Sequence, residues 1–136
     1  MSELFNKLNL KDQKTILICS APESFEPEIQ KLKDVVVVRE LQALETIYFS
    51  LSFSEKKAHL DRISGLIAAK AEGDAVLWFA YPKGTSKKYQ CDYNRDHGWE
   101  VLIAAGFRPI RQVSIDQDWS ALRFRRNEYI RSLNKG

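Results

Sequence analysis

The hydrophobic and polar positions follow three rhythms along this chain. Uninterrupted apolar runs appear at "TILICSAP" (15–22), "VVVVREL" (35–41), "TIYFSLSF" (46–53) and "AVLWFAYP" (75–82). Runs of this length, rich in β-branched and aromatic residues, predict buried strands. "VVVVREL", with four valines in succession, reads as a central strand covered on both faces. A second rhythm has helical spacing. Leu4, Phe5 and Leu8 predict a short N-terminal helix, and "SFEPEIQKLK" predicts another, with Ser24 as its cap and Pro27 in its first turn. Ala58, Leu60, Ile63, Ile67 and Ala71, with Leu66 widening the stripe, predict a longer helix capped by Ser54 and stopped by Gly73. "NRDHGWEVLIAAGF" (94–107) predicts a fourth.

The last third alternates with period two. "RPIRQVSID" and "WSALRFRR" flank Gln117-Asp118 and predict an antiparallel pair in which Leu122 and Phe124 face inward and Arg123 and Arg125 outward. Strands alternating with helices, then a hairpin, predict one α/β domain over residues 1–136. It is a three-layer, Rossmann-like arrangement, mostly parallel, with a C-terminal antiparallel strand pair.

Composition narrows the picture. With 136 residues, 44% hydrophobic and 29% charged, the chain has the balance of a globular domain. No apolar run approaches a membrane span, and the charged N-terminus lacks the pattern of a signal peptide, so a cytoplasmic location without a membrane partner is expected. Cys19 and Cys91 have no ligand spacing with His59 or His97, so no metal is expected. The net charge of +3 is mild and sits mainly in "KGTSKK" and "RFRRNEYIRSLNKG".

From residue 45 onward, the order strand, helix, Gly-Asp turn, strand, helix, hairpin resembles the C-terminal half of class I methyltransferases. That resemblance implies S-adenosylmethionine as cofactor. It also implies a glycine-rich turn after the first strand and an acidic residue at the end of the second, the position of Glu40. The turn here reads Cys19-Ser20-Ala21-Pro22-Glu23-Ser24-Phe25 and holds no glycine, so the residues themselves predict no cofactor. Over nearly the whole chain, Ala21-Pro22, Trp78, Pro82-Lys83, Asp116, Trp119-Ser120 and Leu122 are similar to an uncharacterised family of small bacterial α/β proteins, a resemblance that implies no catalytic residues.

Ligands of open parallel sheets bind beyond the carboxyl ends of the strands. If the "TILIC" and "AVLWFAY" strands are parallel, that rim brings Ser20, Ala21, Pro22 and Glu23 towards Tyr81, Lys83, Gly84, Thr85 and Ser86. Lys83 would neutralise a small anionic ligand, with hydroxyls and backbone amides beside it. "PKGTSKK" lacks the spacing of a P-loop. Glu23, Glu26 and Glu28 crowd the next helix start and disfavour phosphate. Asp116 and Asp118 read as a turn, and no catalytic residue is identified. His59 and His97 read as surface or packing residues.

The expected function is therefore a non-catalytic small-ligand or protein-interaction module on a methyltransferase-like sheet. An interaction module would expose an apolar patch or an edge strand, with Trp99 or Trp119 in it. The alternative is a divergent methyltransferase-like enzyme. A third reading, weak nucleic-acid binding through Arg123, Arg125, Arg126, Tyr129 and Arg131, has no recognised motif behind it.

Overall fold

In the computed structural model, which describes residues 2–130, six strands form one sheet. They are β1 (Thr15–Cys19), β2 (Val36–Val38), β3 (Ile47–Phe53), β4 (Ala71–Pro82), β5 (Phe107–Ser114) and β6 (Trp119–Arg126). Their order across the sheet is β2-β1-β3-β4-β6-β5. The first four are parallel, and β6 runs antiparallel to both β4 and β5. This is the expected α/β architecture with its C-terminal antiparallel pair.

The period of two along each strand divides the core between two faces. Leu17, Leu77, Phe79, Leu122 and Phe124 meet Leu60, Ile63 and Ile67 of helix α3 (Lys57–Lys70) and Leu102 of α4 (Glu100–Ala104). The other face packs Phe49, Leu51, Phe53 and Trp78 against Phe5 and Leu8 at α1 (Glu3–Lys7), and against Phe25 and Ile29 at α2 (Glu26–Ile29). Trp78 is fully buried, and its indole Nε1 donates to the Leu8 carbonyl at 2.7 Å, which ties the N-terminal segment to the sheet centre. Among the described residues, no helix is long and apolar enough to cross a membrane.

Several local expectations are corrected. β2 is a three-residue edge strand, with Val36 61% exposed, because β1 offers it only one neighbour. Four consecutive valines fit an edge as well as a centre, since β-branching reports strand preference and not position. Ser24 lies inside a 3-10 turn (Glu23–Phe25) and caps nothing. Ser54 does not cap α3, whose N-terminal boundary is Lys56 with no side-chain cap. Gly73 does not end α3 either. The helix passes at Lys70 straight into β4, and Gly73 takes φ +58° inside that strand. The fourth helix shrinks to Glu100–Ala104, because residues 94–98 form a small turn closed by a bridge between Asn94 and His97, with Gly98 at φ +115°.

The sheet reverses direction at β1. The chain leaves β1 for β2 on one side and returns as β3 on the other, which opens a crevice at the carboxyl ends of β1 and β3.

Candidate functional site

The crevice holds two cavities. The first, about 470 Å³, is lined by the end of β1 (Cys19, Ser20, Ala21), the end of β2 (Arg39, Glu40, Leu41) and one face of α3 (Arg62, Ile63, Leu66). The second, about 380 Å³, lies beyond β3. Pro22, Glu23, Phe53, Ser54, Glu55, Tyr89 and Trp119 contribute to its wall. Ser20 and His59 line both, so the two lobes meet at these side chains. A larger cavity, about 610 Å³, opens at the opposite edge where the strands begin, around Asp12, Tyr48 and Glu72. Sheets of this type do not bind their ligands there.

Ser20 has φ +58°, in the left-handed region that side chains other than Gly, Asn and Asp rarely enter. The chain thus makes a left-handed turn directly after β1 without a glycine, and a serine hydroxyl stands at the turn. Below it the Cys19 thiol is buried, and burial pushes its pKa up, so it stays protonated and unreactive.

Charge in the first lobe is divided. Arg39 is fastened to Glu26 by two hydrogen bonds of 2.8 and 2.9 Å, and these hold the Glu26 carboxyl below its ordinary pKa. The side chains of Glu40 and Arg62 make no hydrogen bond or ion pair among the described residues. Leu66, on the same wall, is 44% exposed. The lobe therefore offers one free carboxylate, one free guanidinium and an uncovered aliphatic surface.

His59 sits in the first turn of α3 with Nδ1 3.0 Å from Ser54 Oγ. Ser54 donates its only hydroxyl hydrogen to the Lys56 carbonyl at 3.0 Å. Its oxygen is thus left to accept from His59, so Nδ1 carries the proton and Nε2 keeps its lone pair. Desolvation first, and then the nearby Arg62 charge, lower the His59 pKa below 6.5. The ring is neutral at physiological pH, with a free basic nitrogen where the two lobes meet.

The second lobe is walled by rings. Trp119 stands 5.0 Å from Tyr89 and 5.2 Å from Phe53 between ring centroids, and Phe53 is 5.0 Å from Phe25. The turn before Trp119 is built by Asp116, whose carboxylate accepts from the backbone amides of Asp118 and Trp119 at 2.8 and 2.9 Å. Asp116 and Asp118 thus serve a turn, as their spacing predicts.

The structure separates the residues grouped together from sequence. Ser20, Ala21, Pro22 and Glu23 line the lobes, whereas Tyr81, Lys83, Gly84, Thr85 and Ser86 line neither. Tyr81 is buried and its hydroxyl accepts from Gln112 at 2.9 Å. Lys83 Nζ donates to Ser114 Oγ at 2.7 Å, on the hairpin. Gly84 and Thr85 are exposed. The Ser86 hydroxyl donates to Asp118 at 2.8 Å and accepts from the Tyr89 amide, which holds Tyr89 near Trp119. The reason for the separation is strand order. β3 lies between β1 and β4, so the neighbour of Ser20 across the rim is the exit of β3, at Phe53 and Ser54. Sequence reading missed His59, Arg62, Tyr89 and Trp119 as lining residues. The signal that would have found them is the topological switch, which places the start of α3 at the crevice.

Two of the C-terminal arginines, Arg125 and Arg126, are occupied by internal ties. Arg125 makes a two-pronged pair with Asp74 at 2.8 and 2.6 Å, and Arg126 donates to the carbonyls of Ala71 and Gly73. Arg131 lies outside the described residues.

No known family profile matches the chain, and no curated protein matches its sequence, so the likeness to the small bacterial family rests on the quoted residues alone. Solved structures do match it. A methyltransferase of Aquifex aeolicus described as dependent on S-adenosylmethionine aligns with a TM-score of 0.61 and 14% identity, over 90% of this chain and 87% of that one. Magnesium protoporphyrin IX methyltransferase of Synechocystis PCC 6803 aligns at 0.58 with 12% identity, over 90% and 74% of the two chains. The N-methyltransferase NodS of Bradyrhizobium japonicum aligns at 0.57 with 12% identity, over 90% and 92%. At this identity the likeness is one of fold: the chain has the Rossmann-like fold of methyltransferases that use S-adenosylmethionine.

Proposed function

We propose that the chain is a divergent methyltransferase that binds S-adenosylmethionine in the first lobe of the crevice and its methyl acceptor in the second. The observation that carries this reading is the pair of lobes at the sheet's switch point, joined at Ser20 and His59. A volume of about 470 Å³ is within the roughly 300–1,000 Å³ of ligand pockets.

The residues present suit that cofactor. Glu40 follows β2 by two residues, and its carboxylate, without a hydrogen bond or ion pair among the described residues, is the acceptor that a ribose diol requires. Arg62 is an unpaired cation suited to the carboxylate of a methionyl group. Leu41 and Leu66 supply apolar surface for a purine, which accounts for the exposure of Leu66. Ser20 supplies by a left-handed serine the turn that related sheets make with glycine. Bound S-adenosylmethionine would supply an activated methyl group. The part of His59 would be to accept a proton at Nε2, and that of the aromatic wall to exclude water from the acceptor.

The interaction-module reading expects Trp99 or Trp119 at the surface, and both are buried, at 6% and 3% exposure, while the edge strand β2 exposes Val36. Thermal unfolding tests the choice. S-adenosylhomocysteine at one hundred times its dissociation constant should stabilise the protein by about 2.7 kcal/mol, a rise of several degrees. Glu40→Ala should reduce that rise at the same ligand concentration. No shift with either sulfur compound, at concentrations up to the millimolar range, would return the chain to the non-catalytic reading.

A further inference from the structure

The second lobe carries more chemistry than a generic acceptor site needs. Its walls are Phe53, Tyr89 and Trp119, with Pro22 at the side, and these are flat or rigid surfaces that favour a planar ring. Beside the Tyr89 phenol, its acidic and basic side chains are Glu23, Glu55, Lys56 and His59. The carboxylates of Glu23 and Glu55 have no hydrogen bond or ion pair among the described residues. Among the lining residues two carboxylates stand against one ammonium, which disfavours an anionic acceptor, and the ammonium of Lys88, 5.7 Å from the Tyr89 ring centroid, lies outside that lining.

We infer that this lobe takes an uncharged aromatic ring bearing a hydroxyl, and that His59 Nε2 removes the hydroxyl proton as the oxygen is methylated. This rests on the proposed function, whose acceptor lobe it specifies. The hydrogen-bond order fixes the direction of proton transfer. Ser54 Oγ donates to the Lys56 carbonyl and accepts from His59 Nδ1, so the lone pair is on the opposite ring nitrogen. A phenolic hydroxyl has a pKa of about 10 and is protonated at neutral pH, so it needs such a base. The balance is complete without another reactant. The O–H bond breaks and its proton goes to His59. The oxygen forms an O–C bond to the methyl group, and the S–C bond of the sulfonium breaks with its electron pair left on sulfur. The imidazolium then returns the proton to water. Glu23 and Glu55 line the second lobe and Glu40 the first, and the charge that acts on the ring is that of Arg62. Arg62 is on the ring's own helix and opposes the imidazolium, Lys56 lies just before that helix, and Arg39 is already neutralised by Glu26. Cys19, below the first lobe, is a buried thiol whose pKa burial raises, so it adds no charge to the crevice.

Two measurements on the full chain test this. The first is titration calorimetry with 4-methylphenol and with 4-hydroxybenzoate, each with the protein held in S-adenosylhomocysteine. 4-Methylphenol should bind about tenfold more tightly than 4-hydroxybenzoate. A Glu23→Gln/Glu55→Gln variant should narrow the gap, and Tyr89→Ala should weaken both ligands. The second is a long-range proton–nitrogen NMR spectrum of the histidine rings, with His97→Gln used to assign His59, one of two histidines in the chain. Its neutral form should carry hydrogen on Nδ1. Equal or stronger binding of the carboxylate, no binding of 4-methylphenol, or hydrogen on Nε2 would each overturn the inference. If S-adenosylhomocysteine binds and the phenol does not, only this inference falls. If neither binds, the proposed function falls with it.

Discussion

Ser20 and His59 carry most of the account at the scale of single residues. A serine held at φ +58° stores about 1 kcal/mol of backbone strain, which glycine would release. Glycine's extra freedom in the unfolded chain offsets part of that gain. Ser20→Gly is therefore expected to leave stability within about 1 kcal/mol of wild type, whereas Ser20→Val, which puts a β-branched side chain at positive φ, should lower it clearly in urea denaturation. A Val variant as stable as wild type would show that the turn relaxes easily and is not strained. His59 makes a prediction in pH. Its folded pKa lies below its unfolded value of 6.5, so between the two the unfolded chain binds more protons. Its effect on stability is nil well above pH 6.5 and becomes destabilising as pH falls through 6.5 towards the folded pKa. His59→Gln should flatten that part of the stability profile, and an unchanged profile would mean that the ring is freely solvated.

At the scale of elements, the strands and their pairing direction were legible, and their order was not. "TILIC", "FSLSF", "LWFAY" and the alternating hairpin each announce themselves by apolar runs or period two, because burial on two faces or one leaves that trace. Which strand lies beside which is written in no local pattern. The Ala21-Pro22 turn lies at the rim, but the shared direction of β1 and β4 does not by itself bring Lys83 and Ser86 beside it. β3 intervenes, and the "PKGTSKK" loop instead ties down the hairpin and positions Tyr89. From sequence His59 reads as a surface or packing residue, because a histidine beside an apolar helical stripe shows nothing more until the strand before the helix is known to end at the crevice. The N-terminal segment shows the same dependence on tertiary contact. α1 spans only five residues and cannot be stable alone, so it rests on Phe5, Leu8 and the Trp78 hydrogen bond. Trp78→Phe leaves the Leu8 carbonyl without its donor and should cost about 1–3 kcal/mol. Hydrogen exchange should quicken first in residues 3–10. Uniform loss of protection across the sheet would contradict a locally docked helix.

At the scale of the whole molecule, the proposed function puts the sulfur-bearing nucleoside in the lobe lined by the ends of β1 and β2 and by α3. Backbone amide NMR, followed during titration with S-adenosylhomocysteine, tests it most directly. Shift changes should concentrate at residues 19–21, 40–42 and 59–66, with smaller ones at 53–56. Changes centred on residues 83–88, or on the opposite edge at 12–15 and 72–75, would contradict it.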